Sequence, residues 1–132
     1  MIYFVEITKF DPYSTNKMEF SSSSEALNFF EQLELKESVI YIAAIEENVD
    51  YGNFYLFINT FGQAHVMLHE HREHYASEIG QEDNKRSSVT FKDEGNEDFT
   101  VESKYVISKE KAFSALKYWL PKQNKLKELI WN

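Results

Sequence analysis

The chain has 132 residues, of which 42% are apolar and 16% aromatic, with only four glycines and two prolines; this predicts one folded domain over residues 1–132 and excludes a disordered chain. Its 22 acidic and 14 basic residues give a formal net charge of −8, which disfavours nucleic acid and anionic membranes as partners and favours a basic protein. The absence of cysteine excludes disulfides, thiolate catalysis and cysteine-based zinc sites.

The N-terminal stretch "MIYFVEITKF" has neither a basic leader nor a long apolar segment, so we expect no signal peptide and a cytoplasmic protein. No window of the sequence approaches the roughly 20 apolar residues of a membrane span.

Residues 2–10 are rich in β-branched and aromatic side chains and predict a strand. The turn-forming "DPYSTN" and a short strand at "KMEF" then complete a predicted hairpin.

A run of serines precedes the first predicted helix. Ser22 and Glu25 have the spacing of a capping box, in which a serine hydroxyl and a glutamate carboxylate satisfy free N–H groups at a helix start. The apolar residues that follow at helical spacing are Ala26, Leu27, Phe30 and Leu33. We therefore predict an amphipathic helix at about residues 22–35.

The middle of the chain predicts sheet strands. The segment "SVIYIAAIEE" is almost unbroken in its apolar character, which is typical of a central strand covered on both faces. "ENVDYGN" has the residues of a turn. "FYLFINT" and "QAHVMLHEH" then predict two strands joined across "FG".

The histidines of the chain all fall in the stretch "FGQAHVMLHEHREHYA", as His65, His69, His71 and His74. A zincin site needs His-Glu-x-x-His on a helix, but Glu73 occupies the second ligand position after His69, and the stretch alternates like a strand. Alternation places on one face His65, Met67, His69 and His71. We expect no native metal site, and a polar face whose histidines are available to a partner. A small non-catalytic binding or regulatory domain, with a metal or ligand site on the His65–His71 strand, stays open as the alternative function.

The last third of the chain predicts further strands and a second helix. "HYASEIG" and "SSVTFKD" are weaker strand candidates around "QEDNKR", "DEGNED" is an acidic loop, and "FTVESKYVI" is a final strand or an extended segment. Ser108 is the expected cap of a helix over residues 108–120, which Pro121 closes. The apolar stripe of this helix is Ala112, Phe113, Leu116, Trp119 and Leu120. The tail "KELIWN" is suited to an edge strand, and we expect both tryptophans, Trp119 and Trp131, in the core.

Together these elements predict an α+β fold, mainly antiparallel β-sheet with the two amphipathic helices packed on it.

Templates for catalysis are absent from the sequence. The glycines, at 52, 62, 80 and 95, are too scattered for a phosphate loop or a dinucleotide fingerprint, and there is no Gly-x-Ser-x-Gly elbow. Carboxylate pairs such as Glu46 with Glu47 and Glu82 with Asp83 stand in polar segments, where they are typical of solvated surface. We therefore expect a protein that is not an enzyme, with no catalytic residue and no cofactor.

The C-terminal segment "VISKEKAFSALKYWLPKQNKLKELIWN" resembles the ending of the first-numbered immunity protein family of bacterial polymorphic toxin systems. The features that match are a hydrophobic entry, an alanine-bearing helix, a polar stretch, and an aliphatic residue before a near-terminal tryptophan, here Val106-Ile107, Ala112 with Ala115 and Leu116, residues 122–127, and Ile130-Trp131. "YLFINTFGQAHVML" is similar to the family's strand pair with a glycine turn, and the helix near residue 25 follows the family's order. "YWLPKQNK" departs from the pattern because it lacks the glycine common after the helix.

The resemblance implies a protein that binds and neutralises a cognate toxin C-terminal domain, often a nucleic-acid deaminase, by blocking its active site or substrate groove. Toxins that act on nucleic acid present basic grooves, and an acidic blocker gains fast association from complementary charge. Two acidic runs with aromatic residues are the expected contact surface. "IEENVDY" supplies Glu46, Glu47, Asp50 and Tyr51, and "DEGNEDFTVE" supplies Asp93, Glu94, Glu97, Asp98, Phe99 and Glu102. A solvated loop is the other explanation of each run, and the sequence leaves the oligomeric state open.

Overall fold

The structure, a computed structural model, describes residues 1–34, 36–70, 72–78 and 87–132. Its elements are β1 (Ile2–Lys9), β2 (Ser14–Phe20), α1 (Ser23–Glu31), β3 (Ser38–Glu46), β4 (Val49–Ile58), β5 (Gln63–His69), β6 (Glu73–Glu78), β7 (Ser88–Lys92), β8 (Asp98–Glu102), β9 (Ile107–Ser108), α2 (Lys109–Lys122) and β10 (Leu129–Trp131). A single 3-10 turn at Ser103–Tyr105 follows β8. The predicted α+β class, mainly antiparallel sheet with two helices, is confirmed.

The main sheet has the strand order β10-β6-β5-β4-β3-β1-β2, and the short β9 pairs with β5. The predicted hairpins β1–β2 and β4–β5 are both present, and the C-terminal tail adds the edge strand β10 beside β6, as expected. β7 and β8 form a separate two-stranded ribbon. No helix in the described part of the chain is long and apolar enough to cross a membrane.

One face of the main sheet, the inner face, packs against both helices and forms the principal core. The strand residues in this core include Val5, Ile40, Ile42, Phe54, Leu56, Val66 and Leu68, and the helix residues include Phe30, Ala112, Leu116 and Trp119. Trp119 is fully buried, with its ring centroid 5.4 Å from that of Phe54. Trp131 packs at the margin of this core and donates its indole N–H to the Leu126 carbonyl at 3.0 Å. The expectation of a core position is confirmed for Trp119, whereas Trp131 is only partly buried against the core.

The first helix begins where the serine pattern predicts. The hydroxyl of Ser22 accepts the backbone N–H of Glu25 at 3.2 Å, while the carboxylate of Glu25 accepts the hydroxyl of Ser21 at 3.3 Å. The helix ends at Glu31, earlier than predicted, and residue 35 lies outside the described residues. The early end has a physical cause, because the N–H groups of Gln32 and Leu33 bond to carbonyls three residues back and so tighten the last turn.

The second helix also begins at its predicted cap, where the hydroxyl of Ser108 accepts the N–H of Lys111 at 3.2 Å. The helix continues through Pro121 and ends at Lys122. Gln123 then adopts the left-handed conformation, with φ of 55°, and its N–H bonds to the Trp119 carbonyl at 2.6 Å. Pro121 therefore marks the last turn of the helix but does not itself end it.

The β3–β4 connection is tighter than the sequence suggests. β3 reaches Glu46 and β4 starts at Val49, so the turn consists of Glu47 and Asn48, with φ of 50° and 64°. Positive φ at both central residues is the geometry that matches the twist of a two-residue hairpin. Asp50 and Tyr51, which the sequence analysis assigned to a turn, belong to β4 instead.

Candidate partner-binding surface

The face of the main sheet opposite the helices carries three rows of side chains. Directly opposed residues on antiparallel strands point to the same face, so the register between strands defines each row. The covered row is Thr15, Thr8, Val39, Phe57 and His65. The middle row is Lys17, Glu6, Tyr41, Tyr55, Met67 and Tyr75. The end row is Glu19, Phe4, Ala43, Asn53, His69 and Glu73.

The β7–β8 hairpin lies over the covered row. The ring of Phe99 meets Phe57 edge-on, with centroids 5.0 Å apart, and Phe91 lies 6.1 Å from the ring of His65. The buried members of this second apolar cluster are Val39, Phe57, Phe91 and Val101. The hairpin therefore gives this part of the sheet a second core on the side away from the helices.

Contacts at its two ends show that the hairpin runs across the strands. At its tip, the carbonyl of Glu94 accepts the hydroxyl of Tyr13 from the β1–β2 turn. Just after β8, the ring of Tyr105 lies 5.2 Å from that of Tyr75 on β6. The hairpin thus spans the sheet from the β1–β2 turn to β6.

His65 is buried beneath this hairpin and is only 4% exposed. Its Nδ1 lies 2.9 Å from the carbonyl oxygen of Tyr105; because a carbonyl can only accept, Nδ1 carries the proton. Burial lowers the pKa of His65, and the hydrogen bond to Tyr105 opposes this shift in part. The imidazole is therefore held neutral between β5 and the segment after β8. The expectation that His65 is available to a partner is wrong, because the hairpin covers it.

The middle and end rows lie beyond the row on which the hairpin docks, and we call them the open face. Its centre is the pair Tyr41 and Tyr55, whose ring centroids lie 4.8 Å apart at an interplanar angle of 43°. The hydroxyl of Tyr41 donates to the side-chain oxygen of Asn53 at 3.2 Å. The ring of Tyr55 is parallel to that of Phe57 within 3°, with centroids 6.0 Å apart. Both rings are therefore held in place by their neighbours within the sheet.

Carboxylates contribute to the electrostatics of the tyrosine pair. Burial is the largest cause that raises the pKa values of Tyr41 and Tyr55. Neighbouring groups raise them further, and for Tyr41 the largest of these contributions comes from Tyr55. The carboxylates that contribute to these shifts are Glu6, Asp50, Glu73 and Glu94. Negative charge disfavours an ionised phenol, so these carboxylates add to the effect of burial: Glu6 acts on both tyrosines, Asp50 on Tyr41, and Glu73 and Glu94 on Tyr55. Lys17 is the basic residue of the middle row, with its Nζ 3.3 Å from Glu6.

A groove of about 380 Å³ separates the hairpin from the middle row. Met67, Glu73 and Tyr75 line its sheet side, and Thr100 and Glu102 line its hairpin side. The hydroxyl of Tyr75 donates to the Glu73 carboxylate at 2.6 Å, and this bond is the main cause that raises the pKa of Tyr75 to about 12. Strand β8 therefore forms a wall along one side of the open face, and the groove beside it carries acidic groups on both walls.

The residues predicted to contact a partner lie on opposite borders of the open face. One group is at the β3–β4 turn, beyond the end row: Glu46, Glu47, Asp50 and Tyr51. The other group is on the hairpin, beside the covered row: Asp93, Glu94, Glu97, Asp98, Phe99 and Glu102. Along β3 the distance from Val39 to Glu46 is roughly 23 Å. The structure thus does not join the two acidic runs into one patch but places the open face between them.

Some of these predicted contact residues have partners within the chain. The carboxylate of Asp93 accepts the backbone N–H groups of Gly95 and Glu97 at 2.9 and 3.0 Å and so shapes the hairpin turn. Asp98 lies 3.3 Å from the ammonium of Lys92 on the opposite strand. Phe99 is half-buried in the second cluster, so much of its ring stabilises the hairpin.

His69 and His74, the other histidines that the structure describes, do not form a group with His65. His69 is exposed on the end row, on the same face as His65, as alternation predicts. His74 pairs with Leu68 and so belongs to the opposite face. His71 lies outside the described residues. Within the described ranges, no group of three or more histidine, aspartate or glutamate side chains could hold a metal ion.

The centre of the open face is not among the contact residues predicted from the sequence. Glu6, Tyr41 and Tyr55 are distant in sequence and become neighbours only through the register of β1, β3 and β4. A signal was nevertheless present, because Glu6 and Tyr41 each place a polar group within an otherwise apolar strand. A polar group at such a position indicates a face that is not part of the core.

Comparison with known proteins found no family model and no curated protein that matches this chain. A functional assignment therefore has to come from the geometry and charge of the surface just described, together with the sequence pattern of the C-terminal segment.

Proposed function

We propose that this protein is a cytoplasmic, non-catalytic immunity protein, which binds and neutralises a cognate bacterial toxin domain. The observation that carries the proposal is the open face, where the half-buried Tyr41–Tyr55 pair lies between two acidic borders, the β3–β4 turn and the β7–β8 hairpin. Complementary charge makes a basic protein surface its matching partner. Toxin domains that act on nucleic acid, such as deaminases and nucleases, carry basic substrate grooves, and an acidic face seated in such a groove would block it.

The open face has the properties of a protein interface. Tyrosine is enriched among the residues that dominate binding energy, because it buries a large ring and keeps a polar hydroxyl. Tyr41 and Tyr55 stand on paired strands, and their neighbours already hold their rings. Little conformational freedom is then lost on binding, which favours affinity.

The C-terminal resemblance supports the same proposal from a separate direction. The residues that carry it form α2 and β10, and the helix packs on the inner face of the sheet. In this arrangement the resembling segment maintains the fold, and the opposite face remains free for the toxin.

Co-expression with the toxin domain encoded by the adjacent upstream gene tests the proposal. We expect the chain to restore growth and to copurify with the toxin domain. Tyr55→Ala should weaken the complex by about tenfold or more, whereas Tyr118→Ala, which removes an exposed tyrosine from α2, should not. Glu19→Lys on the open face should also weaken it, against the charge-matched control Glu31→Lys on α1.

Two results would contradict the proposal in different ways. Failure to restore growth or to form a complex with the wild-type chain would reject this toxin as the partner. A complex that tolerates Tyr55→Ala and Glu19→Lys as well as it tolerates their controls would reject the open face as the contact surface.

A further inference from the structure

We infer that the Tyr41–Tyr55 pair is a binding site for an arginine side chain of the partner protein. The inference rests on the proposed function for the identity of the partner, but the preference for arginine follows from the chemistry of the pair itself. Two features carry it: aromatic rings that are already held in position, and the carboxylates of Glu6, directly opposite Tyr41, and of Glu73, on the wall of the adjoining groove.

The rings supply the surface on which a guanidinium group would stack. A cation over the face of a tyrosine is attracted by the negative π-system, and arginine takes this position more often than lysine because its planar group also packs against the ring. Tyr41 is fixed by its hydrogen bond to Asn53, and Tyr55 by its parallel contact with Phe57. Both rings are half-buried, and Tyr55 packs against the edge of the second apolar cluster.

The carboxylates supply acceptors for the guanidinium N–H groups that stacking leaves free. Glu6 stands directly opposite Tyr41 in the middle row, and its ion pair with the exposed Lys17 at 3.3 Å is of the weak surface kind. Glu73 and Glu102 stand on the two walls of the adjoining groove. Arginine has five donors in a fixed plane and is less strongly hydrated than lysine, so it can stack and donate to carboxylates at the same time.

The same charges argue against a nucleic acid as the occupant. Exposed tyrosines on a sheet can stack on bases, but proteins that use them also provide a basic path for the phosphates. Here the groups around the rings are acidic, and Lys17 is already paired with Glu6 at 3.3 Å. The chemistry therefore selects a cationic side chain carried by a protein.

The groove beside β8 could bind the residues of the partner that adjoin the arginine. It adjoins the middle row at Met67 and Tyr75 and has Glu73 and Glu102 on its two walls. A segment that places one arginine on the tyrosine pair could extend into this groove with a second basic residue. A short peptide with two arginines is therefore a suitable probe.

The test is an NMR titration of the full chain with two peptides, acetyl-Gly-Arg-Gly-Arg-Gly-amide and its lysine counterpart. We expect shifts of the Tyr41 and Tyr55 ring protons, and binding of the arginine peptide about threefold to fivefold tighter than that of the lysine peptide. Tyr55→Leu keeps an apolar side chain but removes the ring, and should abolish this preference. Tyr118→Leu on the helix side is the matched control and should preserve it.

Equal affinity for the two peptides would overturn the inference, because simple charge attraction would then be sufficient. Shifts confined to other residues would also overturn it, as would ring shifts that depend on the concentration of the chain itself, which would indicate a second copy as the occupant. The toxin is not needed in this experiment, so a failed co-expression with a preserved arginine preference would reject the proposed partner and leave the arginine site standing.

Discussion

Acidification should loosen the hairpin through His65. The burial that lowers the pKa of this histidine acts only in the folded chain, while in the unfolded chain its pKa is near 6.5. Protons therefore bind the unfolded state more readily as the pH falls below about 6.5. Stability from the neutral imidazole is fully present above that pH and is lost as the pH falls toward the folded pKa.

The size of the effect follows from the position of the ring. Each pH unit between the two pKa values is equivalent to about 1.4 kcal/mol, so at pH 5.5 the loss from one histidine is at most about 1.4 kcal/mol. Protonation would place a charge between Phe57 and Phe91, with Nδ1 already committed to Tyr105. The titratable side chains that share its groove are Glu73, Tyr75, Glu102 and Tyr105. Despite the two carboxylates, the net shift of the His65 pKa is downward.

Urea unfolding at pH 7.5 and pH 5.5 measures this loss when wild type is compared with His65→Asn. The asparagine amide can still donate to the Tyr105 carbonyl but does not titrate, so the variant should lose less stability between the two pH values, by up to about 1.4 kcal/mol. His69→Asn, on the exposed end row, and His74→Asn are the controls. His74 needs its own control because burial, Lys125 and Arg72 also lower its pKa. Equal losses of stability in wild type and His65→Asn would contradict the role of His65 in the pH effect. A wild type that became more stable at pH 5.5 would contradict it as well.

Three further predictions concern single contacts. Ser22→Ala removes the hydroxyl that caps α1 and should lower the free energy of unfolding by about 1 kcal/mol in urea denaturation; an unchanged value would show that the cap adds nothing. Ultraviolet titration of wild type and Glu73→Gln should show that the variant lowers the pKa of Tyr75 from about 12 toward the ordinary value of about 10, whereas no change would rule out the carboxylate as the cause. Trp119→Ala empties the centre of the inner core and should cost about 3–5 kcal/mol in the same urea assay, and a loss well below that would mean the core can collapse around the gap.

The sequence predicts those parts of the fold that depend on neighbours along the chain. The alternation of β5 correctly separates Val66 and Leu68 from His65 and His69, and the spacing of Ser22 and Glu25 locates the start of α1. These features are local, because a strand's pleat and a helix cap involve residues a few positions apart.

The position of the hairpin is not predictable in this way. Val89, Phe91, Phe99 and Val101 show that β7 and β8 have an apolar side, but nothing local indicates which surface that side covers. Local alternation alone therefore predicts a polar, accessible face for His65. Its burial follows only from the long-range contacts with Phe91 and Tyr105. The open face had the same difficulty, since Glu6 and Tyr55 become neighbours only through the register of β1 with β3 and of β3 with β4.

A hairpin that lies across strands also constrains how the sheet can assemble. A slip of one residue between neighbouring strands turns a strand's side chains to the opposite face, and a slip of two would move Phe57 out of line with Val39 and His65. In either case Phe91 and Phe99 would lose the row on which they dock. The docked hairpin therefore stabilises the correctly aligned sheet relative to sheets with shifted strand registers.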